Sequence, residues 1–86
     1  MSDPDYEWDA AKATQNMAKH GVPFETVTGF DWRTAIEVED TRYDYGETRM
    51  QALGKIDGRY HVLVYAWRGA RIRVISLRKA NRREIP

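Results

Sequence analysis

The sequence predicts an α+β domain: two N-terminal helices packed on one face of a four-stranded antiparallel sheet, closed by a short C-terminal helix. Three observations carry that expectation. Apolar residues recur at helical spacing up to about Phe30, and beyond Asp31 the period changes to two. Asp57-Gly58 separates two strand-like runs by the two residues of a tight hairpin. Tyr60 to Trp67 is almost wholly apolar, as a central strand covered on both faces must be. At 86 residues the chain makes a single domain with one small core.

The elements follow in order. Residues 1–5 are polar and are expected to form a disordered lead. Tyr6-Glu7-Trp8 suits either a short edge strand or an aromatic anchor. Asp9 is placed to cap a helix that runs to Lys19 or His20 and ends at Gly21, which adopts the left-handed conformation at low cost. Ala10, Ala13, Thr14 and Met17 share one face of it, with Lys12, Asn16 and Lys19 opposite. A second short helix runs from Pro23, tolerated in a first turn, to about Phe30, with Phe24, Val27 and Phe30 inward.

The first strand is Ala35 to Asp40, with Ile36 and Val38 inward and Glu37 and Glu39 outward. Thr41 to Glu47 is a loop. Thr48 to Ile56 is a strand with Met50, Ala52, Gly54 and Ile56 on one face and Arg49, Gln51, Leu53 and Lys55 on the other. Arg68-Gly69-Ala70 turns the chain into the last strand, Arg71 to Arg78. There Ile72, Val74 and Ser76 share one face, and Arg71, Arg73, Ile75 and Leu77 share the other. Lys79 to Ile85 opens the terminal helix.

Composition excludes several functions. There is no cysteine, hence no disulfide, no thiolate metal site and no thiol nucleophile. His20 and His61 match no metal-ligand spacing, and neither a metal nor another cofactor is expected. No apolar run has the length of a membrane span, and the acidic start is wrong for a secretory signal. A cytoplasmic protein without membrane contact is expected.

Charge is divided along the chain. Residues 1–45 carry ten acids and four bases, whereas residues 46–86 carry ten bases and three acids. Eight of those ten bases are arginine, whose fork matches phosphate or carboxylate. The basic half points to a polyanion such as nucleic acid; an uneven solubilising surface is the plainer alternative.

Three segments together resemble the BrnT family, the toxin half of a bacterial type II toxin–antitoxin pair. They are Tyr6-Glu7-Trp8-Asp9 with Lys12, Asn16, Lys19-His20-Gly21-Val22 and Phe24; Glu47-Thr48-Arg49 leading to Leu53-Gly54; and Val64-Tyr65 followed by Arg71 to Ala80 and Arg82-Arg83-Glu84. The likeness spans about Tyr6 to Glu84. It implies a RelE-like fold and a metal-independent ribonuclease that arrests translation. It also implies a BrnA-type antitoxin with a ribbon–helix–helix region, which joins the toxin in a hetero-oligomer and alone contacts operator DNA.

Metal-free cleavage requires a base for the 2′-hydroxyl, a proton source for the departing 5′-oxygen, and cations around the phosphate. Arg49 and Arg73 are the candidates for transition-state charge, against pairing with a structural carboxylate such as Glu37 or Glu47. Glu47 is a candidate base, or a plain salt-bridge partner of Arg49. His20 has a pKa suited to proton transfer, though a histidine beside a helix-ending glycine is often a cap. Lys12, Asn16, Lys19, Arg71 and Arg78 are candidate RNA contacts, against a solvated helix face for the first three and a brace for the terminal helix at Arg78. Whether the arginine faces of the strands coincide is left open by the sequence. A non-catalytic nucleic-acid-binding or adaptor module is the alternative function, as is a degenerate toxin that retains only antitoxin binding.

Overall fold

The computed structural model describes residues 4–86. Residues 1–3 of the expected disordered lead lie outside the described residues, and Asp5 already belongs to a strand. The elements are β1 (Asp5–Glu7), α1 (Ala10–His20), a 3-10 helix (Phe24–Gly29), β2 (Phe30–Glu39), β3 (Met50–Ile56), β4 (Arg59–Arg68) and β5 (Arg71–Lys79). One sheet holds all five strands in the order β1-β5-β4-β3-β2. The pairs are antiparallel except β1, which lies parallel to β5.

This corrects the expected architecture of two α-helices on a four-stranded antiparallel sheet. Tyr6-Glu7 is a fifth strand, set in register by Tyr6 opposite Ile72 and Glu7 opposite Arg73. The second helix is a 3-10 segment whose threonines turn back on the chain, Thr26 Oγ1 donating to the Pro23 carbonyl at 2.7 Å and Thr28 Oγ1 to that of Glu25 at 3.2 Å. The C-terminal helix is absent. Residues 82–84 form one turn, in which the Asn81 amide donates to Glu84 and the Glu84 amide to Asn81. So short a segment cannot offset the cost of helix nucleation.

Local signals set several boundaries as expected. Asp9 Oδ2 accepts from the Lys12 amide at 3.1 Å, and Gly21 closes α1 at φ 70°. Asp57 and Gly58 both have positive φ, 50° and 77°, which a tight antiparallel turn demands. β4 lies in the middle of the sheet, buried from His61 through Ala66.

The core sits on one face of the sheet. Phe24, Val27 and Phe30 meet Ala52, Leu63, Tyr65, Ile72, Val74 and Leu77 there. Phe30 lies directly over Gly54, where an added Cβ would stand 2.5 Å from its ring.

Three phases differ from the expected ones. On α1 the buried residue is Asn16, and Met17 is 49% exposed. The helix lies along the outer edge of β5, where backbone groups need partners. The Asn16 amide supplies them: it accepts from the Leu77 N–H at 3.2 Å and donates to the Leu77 carbonyl at 2.8 Å and to the Val22 carbonyl at 3.0 Å. On β2, Ile36 and Val38 point away from the core and Glu37 toward it, because the register shifts between Asp31 and Ile36. Thr34 fills that irregularity, donating to the Asp31 carbonyl and accepting from the Lys55 amide. On β5 the register passes from Tyr65–Val74 to Val64–Ser76, which leaves Ile75 as an extra residue. Such a bulge inverts the faces beyond it. Leu77 therefore enters the core and Ser76 does not.

Candidate functional site

The face of the sheet opposite the core carries no helix, and the strand registers gather arginines on it. Arg68 stands opposite Arg71, and Ala66 opposite Arg73. Continuing the Met50–Tyr65 register by one residue sets Arg49 opposite Ala66. Arg49 and Arg73 thus flank Ala66 across three strands, with Cα atoms about 10 Å apart at ordinary strand spacing. Arg68 and Arg71 form the adjacent row. Ala66 is 1% exposed, a small floor between long basic side chains. The faces left open by the sequence coincide.

Arg68 was not among the candidates, since it was read only as part of a turn. Its signal lay in the hairpin: a two-residue Gly69-Ala70 turn forces Arg68 and Arg71 to face each other.

Glu47 sits against this quartet. Its Oε1 accepts from Arg68 at 2.6 Å, and its Oε2 lies 3.7 Å from Arg49 Nε, beyond hydrogen-bond length. Arg49 Nε is buried and has no hydrogen-bond partner among the described residues. A buried unsatisfied donor in a charged cluster is uncommon and calls for an acceptor. The Tyr45 ring covers the same guanidinium, 4.1 Å from its carbon, in a cation–π contact.

Tyr45 is itself held by a polar hub. Buried Asp40 accepts from Arg42 Nε and Nη2, both at 2.8 Å, and from the Tyr45 hydroxyl at 3.1 Å. The Arg42 fork holds the Asp40 carboxyl far below the usual carboxylate range, against the opposing pull of burial.

The other basic residues differ in how far they are engaged. Arg73 donates to Glu7 at 2.9 Å. Arg78 forks onto Glu84 at 2.7 and 2.8 Å, which holds that carboxyl down at about 2. Arg71 makes no salt bridge among the described residues and is exposed.

The helix candidates lie apart from the quartet. Lys12, Asn16, Lys19 and His20 line a groove of about 200 Å³ against Ile75 and Ser76. Lys12 and Lys19 are exposed there, whereas Asn16 is buried with its amide engaged by backbone. Burial lowers the His20 pKa, and the charges of Lys19 and Arg78 lower it further. Arg78 stands in the row of Leu53, six residues from Glu47 along the strand direction, roughly 20 Å. His20 lies within the field of Arg78 and borders Ser76, so it belongs with the helix groove. His61 is buried on β4 with Nδ1 2.7 Å from the Arg59 carbonyl oxygen.

Among the described residues, no three His, Asp or Glu side chains are grouped to hold a metal ion. No helix among them is long and apolar enough to cross a membrane. A hollow of about 1060 Å³ lies on the core side of the sheet and is lined by Phe30, Trp32, Tyr65 and Trp67 with Asp31, Arg33 and Glu37. Arg33 there is already paired with Asp31, which leaves Glu37 to set an acidic lining.

A family model described as the ribonuclease toxin, BrnT, of a type II toxin–antitoxin system matches residues 8–84. No curated protein matches the chain.

Proposed function

This chain belongs to the BrnT family of ribonuclease toxins of type II toxin–antitoxin systems, and from that premise we propose that it cuts RNA without a metal ion at the Arg49–Ala66–Arg73 row. Family membership brings an RNA target and an antitoxin partner. The observation that carries the assignment is the orphaned Arg49 Nε–H beside Glu47, inside a quartet of arginines on one bare face.

A phosphodiester seated over Ala66 accepts from Arg49 on one side and from Arg73 on the other. Arg68 and Arg71 take the neighbouring phosphate. Phosphate binding draws Arg49 and Arg68 away from Glu47, whose carboxylate then accepts the 2′-hydroxyl proton. The 2′-oxygen attacks phosphorus, the bond to the 5′-oxygen breaks as that oxygen takes a proton from water, and the proton held by Glu47 returns to solvent; the products are a 2′,3′-cyclic phosphate and a 5′-hydroxyl end. The arginines stabilise the charge that accumulates on the equatorial oxygens. Lys12, Lys19, His20 and Arg78 hold RNA farther along the chain, and Asn16 shapes that groove from below. The partner is an antitoxin of the BrnA type, bearing the ribbon–helix–helix region that contacts operator DNA, and RNA cleavage arrests translation.

The test is cleavage of single-stranded RNA by purified protein in EDTA. Arg49→Ala is expected to slow it by about 10²–10³, and Glu47→Gln by about 10²–10⁴ with RNA affinity retained. Cleavage that appears only on adding a divalent cation overturns the metal-free reading. Tight RNA binding without products, given that Arg73 and Arg78 are already paired with carboxylates, makes the protein a non-catalytic RNA-binding module instead.

A further inference from the structure

β2 is an outer strand, and among the described residues its sole sheet neighbour is β3. The Asp40 amide donates to the Arg49 carbonyl at 2.8 Å, so in this regular stretch Asp40, Val38 and Ile36 direct their backbone groups inward to β3. The backbone N–H and C=O of Glu37 and Glu39 consequently point outward from the sheet. Ile36 and Val38 are 55% and 57% exposed, on the face opposite the core, and they border a groove with Leu53 and Val62 that Gln51 and Glu84 complete. A long edge with exposed β-branched residues is a template for another strand.

The charge pattern selects the occupant. Residues that oppose each other across an antiparallel pair share a face. The two registers that superpose Ile36–Glu39 on its own copy therefore set Glu37 against Glu37 or Glu39 of that copy. Like charges opposite one another destabilise the pair, so a second copy is disfavoured. A strand alternating basic and β-branched residues meets both faces. Its basic side chains oppose Glu37 and Glu39, beside the Trp32, Tyr65 and Trp67 hollow that also favours a cation. Its apolar side chains extend the Ile36–Val38 patch.

We infer that the antitoxin adds an extended segment of alternating basic and β-branched residues to the free edge of β2. The inference rests on membership of a toxin–antitoxin family and not on the cleavage chemistry, so the two can fail separately. The edge runs up to the Asp40–Arg49 pairing at the margin of the quartet, and grip there leaves the rest of the antitoxin free to cover the bare face.

The probe is the antitoxin itself, co-expressed from the adjoining open reading frame and purified. Glu39→Pro removes an outward N–H and spares the β3 ladder, since proline is tolerated on an edge strand. It is expected to weaken antitoxin binding at least about tenfold, with melting and RNA cleavage of the free toxin unchanged. Glu39→Lys, which keeps the backbone donor, is expected to weaken it by a smaller factor through charge alone. A capped peptide alternating lysine and valine is expected to bind wild type and not Glu39→Pro, and its glutamate–valine counterpart to bind neither. Unchanged antitoxin affinity in a folded Glu39→Pro protein overturns the inference. So does a wild-type homodimer that this substitution dissolves, since the edge would then belong to a second copy. If Glu39→Pro fails to fold, the peptide pair decides: equal binding of both peptides to wild type overturns the inference.

Discussion

The two faces of the sheet are built on opposite terms. The core face is closed by Phe24, Val27 and Phe30, each at most 4% exposed. The opposite face carries no helix; Val62, Val64 and Ala66 are nevertheless buried there, in the same rows as the charged residues of the site. Aromatic packing is therefore concentrated on one side and the proposed chemistry on the other.

The sharpest break of that contrast is on the core face. Phe24→Ala is expected to cost about 4 kcal/mol in denaturant unfolding. A loss below about 1 kcal/mol would mean that the covered face is not the stabilising one. Asn16→Ala tests a polar residue that belongs energetically to the same side. It strands the Leu77 N–H and two carbonyls, and a loss of about 3 kcal/mol is expected; weakened RNA binding at unchanged stability would return Asn16 to the groove chemistry. Gly54→Ala drives a methyl into the Phe30 ring and is expected to cost about 2 kcal/mol.

On the bare face, Arg73→Ala is expected to change stability by less than about 1 kcal/mol while slowing RNA cleavage by about 10²–10³. A stability loss as large as that of Phe24→Ala would make the Glu7 pair structural. The smallest effect is expected at Glu84. Its carboxyl is lowered from an ordinary 4.5 to about 2, chiefly by the Arg78 fork and then by the Asn81 amide, with burial opposing. A depressed carboxylate contributes stability that is complete above pH 4.5 and disappears as pH falls toward 2. Between those limits Glu84→Gln is expected to flatten the acid limb of the unfolding curve slightly.

Sequence patterns revealed the elements that local chemistry decides. The Asp9 cap, the Gly21 stop, the Asp57-Gly58 turn and the apolar β4 are each specified within a few residues. What they did not reveal depends on distant partners. The inward side of α1 was masked because its central residue is an asparagine, polar by composition and buried only because Leu77 offers backbone groups 61 residues away. Ile36 and Val38 look like core residues until the Thr34 irregularity shifts their phase. The Ile75 bulge is invisible in an alternating pattern, and it decides that Leu77 packs and Ser76 does not. Of the site, Arg49, Arg73, Arg71 and Glu47 were legible as residue types, but their convergence required the register of three strands. Arg68 was concealed by its turn.

The Asn16 carboxamide has one more consequence. By occupying the Leu77 backbone it finishes the margin of β5 where β1, three residues long and flanked by Pro4, stops short. The two sides of the sheet are thus unlike: β5 is closed at Leu77 by a side chain, whereas β2 is bare over Ile36 to Glu39. A protein with two open margins invites head-to-tail stacking into fibres. Under the strand addition inferred above, a chain that joins at β2 finds no like berth at the stretch of β5 closed by Asn16, which disfavours head-to-tail growth.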